Sequence, residues 1–117
     1  MTPEHKIQSD ILVALSAHQC TPFRINVGKG KTADGRYFST GAPKGHPDIY
    51  FFRWSDGKIG YVEVKTKTGR IRSDQMKFHK MLVKHHIIHC CARSVEDALK
   101  TAKNGLVGYG YPDWKGV

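Results

Sequence analysis

Three residues suited to hard cations and phosphate esters fall close together in the middle of the chain: Asp48, Glu63 and Lys65. Asp48 opens the run Asp48-Ile-Tyr-Phe-Phe-Arg-Trp54, and the other two close the run Ile59-Gly-Tyr-Val-Glu-Val-Lys65. Both runs are rich in aromatic and β-branched residues and flank the turn-prone Ser55-Asp56-Gly57-Lys58, a pattern that predicts a β-hairpin. Side chains alternate across a strand, so Tyr61, Glu63 and Lys65 share one face, as do Asp48, Tyr50 and Phe52 on the partner. A two-residue Asp56-Gly57 loop pairs Ser55 with Lys58, which sets Tyr50 opposite Glu63 and Asp48 opposite Lys65. A four-residue loop leaves that register unchanged, whereas a three-residue loop breaks it.

Two carboxylates and a lysine converging at the open end of a hairpin suit Mg²⁺ or Mn²⁺, with coordination positions left for water and a substrate phosphate. The lysine would orient a water or stabilise the charge of a pentavalent phosphorus transition state. Taken as bare residues, the same trio fits an exposed cross-strand Asp–Lys pair of little energetic weight equally well.

The elements that must hold this hairpin are readable on either side of it. Thr2-Pro3-Glu4 has an N-cap, a proline in the first turn and a carboxylate at the positive end of the dipole; Ile7, Ile11, Leu12 and Leu15 then recur at helical spacing. That helix should end before Thr21-Pro22 and lead into a strand over Phe23 to Val27. From Gly28 to Gly45 the chain is too polar for core, with a small hairpin expected around Asp34-Gly35 and ending in Arg36-Tyr37-Phe38. Ser73 is the expected N-cap of a second helix reaching about Lys84; Ile87 to Ala92 reads as a strand, and Ser94 opens a third helix that stops at Asn104-Gly105. The aromatic and glycine-rich tail, 106–117, is expected to pack its rings on the domain or on a partner without extending an element.

The result is a single α/β domain spanning 1–117, in the order α-β-β-β-α-β-α, with the strand after the second helix free to join the hairpin in parallel. At 117 residues one core suffices, and a chain of this size buries roughly two-thirds of its extended surface. Three cysteines, two of them adjacent, argue against a disulfide scaffold, and no apolar run is long enough for a membrane span. The N-terminal residues lack the order of a signal peptide, so a cytoplasmic location is expected. No Walker motif calls for a nucleotide cofactor. Nineteen Lys plus Arg against ten Asp plus Glu give a net charge of +9, which points to a polyanion. His85, His86, His89, Cys90 and Cys91 lie close together, but strand alternation scatters their side chains and no Cys-X-X-Cys knuckle exists, which argues against structural zinc; Cys90 and Cys91 read more simply as strand residues, at least one of them buried. His46 is a lesser functional candidate, as the residue ahead of Pro47-Asp48.

Gly45-His46-Pro47-Asp48, the hairpin and Glu63-Val64-Lys65 resemble the Pro-Asp and Glu-X-Lys halves of the PD-(D/E)XK nuclease motif. The surrounding residues narrow the resemblance: Glu4-X-X-X-Gln8, Arg24-Ile-Asn26, and Glu63-Val-Lys65-Thr-X-X-Gly69-Arg-X-X-X-Asp74-Gln75. Their order is similar to the VRR-NUC branch, in its small stand-alone form from phages and bacteria, over Glu4 to about Ala98. The resemblance implies a restriction-endonuclease-like mixed β-sheet flanked by helices. It implies Asp48, Glu63 and the Val64 carbonyl as ligands of Mg²⁺ or Mn²⁺, Lys65 as the catalytic lysine, Glu4 approaching the metal from the first helix, and Gln75 contributing from the second. It further implies a homodimeric endonuclease acting on branched DNA, a Holliday-junction resolvase. A flap, nick or duplex nuclease on the same scaffold, or a non-catalytic basic DNA-binding module, remain the alternatives. His85-His86 departs from the pattern, since a turn there would often carry glycine.

Seven Lys or Arg against one Asp between Lys65 and Lys84, and five against one between Arg24 and Lys44, supply phosphate contacts whose strength would fall steeply with salt. Lys67, Arg70 and Arg72 in the loop leaving the second hairpin strand, with Lys29, Lys31 and Lys44 in the glycine-rich segment, are the DNA-binding candidates. Lys77, Lys80 and Lys84 fit a solvated helix face as well as a DNA contact.

Overall fold

The computed structural model describes residues 2–25, 29–39 and 41–116. Helix α1 (Pro3–Ala17) starts where the sequence places it, with the Thr2 hydroxyl accepting the His5 N–H at 3.1 Å. Strand β1 (Cys20–Arg24) follows, earlier than the expected 23–27; it is an edge strand, where Pro22 forfeits no needed ladder bond. A small hairpin, β2 (Lys29–Lys31) and β3 (Tyr37–Ser39), lies in the polar segment as expected. Asn26, of the Arg24-Ile-Asn26 motif, lies outside the described residues, as do the side chains of Lys29 and Lys31.

The central hairpin is β4 (Ile49–Arg53) and β5 (Ile59–Val64). Helix α2 (Ser73–Lys84), β6 (Ile88–Ala92), α3 (Val95–Asn104) and β7 (Val107–Tyr109) complete the chain. The main sheet runs β1-β4-β5-β6-β7, antiparallel on the β1-β4-β5 side and parallel from β5 to β7, so the mixed α/β order expected from the sequence is present. Among the described residues no helix is long and apolar enough to cross a membrane.

Two expectations are corrected. The tail supplies an edge strand, β7, because the turn at Gly105 aims Val107–Tyr109 along the open edge of β6. The hairpin register is displaced by two residues: Arg53 pairs with Lys58 through its N–H to the Lys58 carbonyl, and Trp54–Gly57 forms the loop. The Asp56 carboxylate fixes that loop by accepting the Lys58 N–H and pairing with the Arg53 guanidinium, which pulls Asp56 down to about 2. Tyr50 therefore faces Tyr61, not Glu63, and the same register carried one step further sets Asp48 across from Glu63, not Lys65. Because the slip is an even number of residues, every side chain stays on its predicted face.

Helices α1 and α3 cover one face, where Ile11, Leu15, Ala98 and Ala102 meet Ile49, Phe51, Val62, Val64, Cys90 and Ala92 in the core. Helix α2 lies on the other, against β6 and β7. His86, between α2 and β6, has φ +57°, so the turn is left-handed at the position where glycine would be at ease.

A buried relay fastens the tail to α2 and β6. His89 Nδ1 lies 2.7 Å from the Ile87 carbonyl, which can only accept, so Nδ1 donates. Burial pushes His89 down to about 4, so its Nε2 is an acceptor and takes the proton of His79 Nδ1 at 2.7 Å. His79 Nε2 in turn lies 2.8 Å from Asp113, and Tyr111 stacks on the His79 ring at 3.7 Å. Because the folded His89 resists protonation, its contribution to stability is complete above about pH 6.5 and is lost as pH falls towards 4. Replacing His89 with Gln is therefore expected to cost stability at pH 7.5, and that cost should shrink by about 2 kcal/mol at pH 5; denaturant melts at the two pH values measure it.

Candidate active site

Asp48 stands at the head of β4, held there by the loop Gly45-His46-Pro47. Gly45 has φ +86°, and a methyl group at its Cα would overlap the Asp74 carbonyl, so this loop and the first turn of α2 touch backbone to backbone. The His46 ring donates from Nδ1 to the Pro47 carbonyl at 2.7 Å and sits edge-on to Tyr61 at 5.6 Å and Phe78 at 5.1 Å. It is a wedge between loop, β5 and α2. Substituting Gly45 with Ala adds both left-handed strain and overlap; a loss of about 2 kcal/mol or more in a denaturant melt is expected. A displaced Asp48 should also lower cleavage at least about 10-fold in a nicking assay.

Asp48 Oδ2 accepts the Val64 N–H at 2.8 Å, which ties the carboxylate across the hairpin. Glu63, on the same face and across from Asp48, is 2% exposed. Its carboxyl is held well above the ordinary range, to about 9: burial is the largest cause, the neighbouring Asp48 the next, with Lys65 opposing and Glu4 adding to the rise. Glu4 thus lies within electrostatic reach of Glu63 from the first turn of α1. Lys65, 7% exposed, follows β5 with its N–H bonded to the Ala92 carbonyl at 3.0 Å. Three of the predicted site residues, Asp48, Glu63 and Lys65, are brought together, with Glu4 in electrostatic reach of Glu63.

Gln75 is buried at the start of α2, and its side-chain oxygen accepts the Arg72 N–H at 2.9 Å. Arg72, not Ser73, is the N-cap, so Gln75 reaches back as one half of a capping box. Lys44, Lys67, Arg70 and Arg72 are exposed, Arg72 beside Asp74 at 3.2 Å. Sequence reasoning missed Arg93, whose guanidinium donates to the Thr66 and Gly69 carbonyls and so shapes the loop that carries Lys67. A lone arginine after a strand gives no signal of such a role.

Cys90 and Cys91 are buried, and burial pushes their thiols up to about 12 and 11, while His89 is committed to His79. Among the described residues no three His, Cys, Asp or Glu side chains converge to hold a metal ion. The cation chemistry open to this site therefore rests on two carboxylates, completed by water, backbone or substrate oxygens.

A family model described as the VRR-NUC domain matches residues 3–96, from α1 to the first turn of α3. The chain belongs to the VRR-NUC family. Neither curated proteins nor solved structures gave a match. The VRR-NUC assignment makes this a nuclease domain with DNA as its substrate, which accounts for the chain's net charge of +9. The match ends before β7, so the relay joins two family-matched histidines, His79 and His89, to an aspartate beyond the match, Asp113.

Proposed function

We propose that this VRR-NUC domain is a divalent-metal-dependent endonuclease for branched DNA, resolving four-way junctions as a homodimer. The observation that carries the reading is the pairing of Asp48 with Glu63 on one sheet face, with Lys65 one step beyond. Burial first and the neighbouring Asp48 next disfavour the charged form of Glu63, and a divalent cation is the group that would relieve both carboxylates. Their hard oxygen donors fit Mg²⁺ or Mn²⁺. Asp48, Glu63 and the Val64 carbonyl would hold it, with Glu4 acting through a water. Such an ion supplies charge that offsets the phosphate's and acidifies water.

The chain's own groups do the rest. Asp48, fixed by the Val64 N–H, and Glu63, fixed by burial, set where the scissile phosphate sits. Lys65 directs its ammonium charge at the oxygens that gain negative charge as the P–O bond breaks. Gln75 holds the start of α2 and so the position of the loop before Asp48. Lys44, Lys67, Arg70 and Arg72, with Lys29 and Lys31, bind flanking phosphates. Paired cuts on opposing strands require two such sites, and a twofold dimer supplies them.

The test is cleavage of labelled four-way junction, flap, splayed-arm and linear DNA with Mg²⁺ or Mn²⁺. Paired symmetric cuts in the junction are expected. Equal cutting of flap or linear duplex would replace resolution with another nuclease specificity on the same scaffold.

A further inference from the structure

The sheet face that carries Asp48 and Glu63 continues into an uncovered aromatic strip. Across from one another stand Phe23, Tyr50 and Tyr61 in one row, and Thr21, Phe52 and Ile59 in the next. Helix α2 lies over β6 and β7 and reaches Tyr61 through Phe78, but α1 and α3 are on the opposite face, so among the described residues no helix covers the β1–β4 half. Phe23 is 40% exposed, Phe52 38% and Ile59 46%; Trp54, in the hairpin loop, is 59% exposed and is tethered by its indole N–H to the Thr21 hydroxyl at 2.8 Å. Phe23 and Tyr50 are already stacked at 4.7 Å with planes 14° apart, and Phe52 stands 6.5 Å from Phe23.

Contiguous exposed rings on a small domain mark a binding surface. Two features of the surface select its occupant. The strip is continuous with the catalytic face: Asp48, Tyr50 and Phe52 alternate along one strand, so the last ring stands about 13 Å from the carboxylate, a few nucleotides' reach. The chain carries a charge of +9, which attracts a polyanion. A nucleic acid strand with unpaired bases answers both features, with phosphates for the cations and π-faces for the rings.

We propose that Phe23, Phe52 and Trp54 form a stacking platform for nucleobases that come unpaired at the branch point next to the cut, so that the DNA taken is a branch whose point can open. This deepens the nuclease reading and rests on it for the location of the cut. It requires no ring to touch the reacting phosphate.

Binding measured without a divalent cation tests the platform independently of cleavage. A splayed-arm duplex carrying 2-aminopurine in its first unpaired positions is compared with the continuous duplex, using wild type, Phe52→Leu and Trp54→Leu. Phe52→Leu keeps an apolar side chain in the strand, and Trp54 lies in a loop, so the second variant remains informative if the first does not fold. Wild type should change the 2-aminopurine emission, and each variant should bind the splayed DNA about 5- to 50-fold more weakly while holding duplex affinity within about twofold. Unchanged affinity for both DNAs, or equal loss on both, overturns the platform. So does a shift from dimer to monomer in sedimentation, which would make the strip a self-interface. A protein that shows the ring-dependent binding yet cuts nothing with Mg²⁺ or Mn²⁺ defeats the nuclease reading alone; one that cuts with no dependence on the rings defeats the platform alone.

Discussion

Replacing Glu63 with Gln is expected to stabilise the metal-free protein and to abolish cleavage. The folded Glu63 binds its proton up to about pH 9, against 4.5 for the free side chain. A carboxyl raised in this way leaves stability intact below about pH 4.5 and erodes it as pH rises towards 9, because the unfolded chain ionises freely and the folded one does not. At pH 7 the loss is on the order of 3 kcal/mol, and the glutamine, which cannot ionise, should recover about 1–3 kcal/mol of it. Thermal melts should therefore show a larger gain for the variant at pH 8 than at pH 5.5. His89 tilts the wild-type profile the other way below pH 6.5, so the difference between variant and wild type isolates Glu63. Added Mg²⁺ should raise the wild-type melting temperature and leave the glutamine variant nearly unmoved, since an ion that binds only the folded state stabilises only the chain that can hold it. Cleavage should fall by at least about 1,000-fold. A variant less stable than wild type at pH 8 would contradict the electrostatic part of this account.

The second large effect is at Lys65. Its burial beside Glu63 sets the ammonium next to the carboxylate pair, where it serves to stabilise the transition state. Lys65→Met keeps the length and apolar stem but removes the charge, so DNA affinity should change little, because the flanking phosphate contacts are elsewhere. The single-turnover rate should drop by about 100- to 1,000-fold, the effect of deleting one preorganised charge aimed at a developing oxyanion. Lys65→Arg should not rescue it, since a planar guanidinium cannot occupy the space of a compact ammonium. A fall in affinity with an unchanged rate would make Lys65 a binding residue.

The sequence carried the facing of this site better than its spacing. Strand alternation put Asp48, Glu63 and Lys65 on one side whatever even-numbered loop closed the hairpin, and that parity survived a register slip of two. What decided the register was Asp56 bonding to Arg53 and to the Lys58 N–H, a tertiary detail of one turn that no periodicity encodes. Glu4 near Glu63 was legible only through the family resemblance, because an angle between a helix and a sheet leaves no mark in a sequence. Strand β7 was hidden because Val107-Gly108-Tyr109 is short and glycine-broken; it is a strand only because β6 offers it an edge. The left-handed turn at His86 was half visible, as a histidine in a glycine's usual place. Arg93 and the His46 wedge were invisible for a common reason: each acts through carbonyls or rings brought close by the fold.

The central claim is that Asp48 and Glu63 together hold the cation on which DNA cleavage depends. It is tested most directly by titrating Mg²⁺ and Mn²⁺ into a single-turnover nicking assay of wild type and Asp48→Asn on one branched substrate. The expected result is no wild-type cleavage in chelator, restoration by either ion, and a rate for Asp48→Asn at least about 100-fold lower at saturating ion. Cleavage by wild type that persists undiminished in chelator, or an Asp48→Asn variant that cuts at the wild-type rate with the wild-type ion requirement, would contradict it.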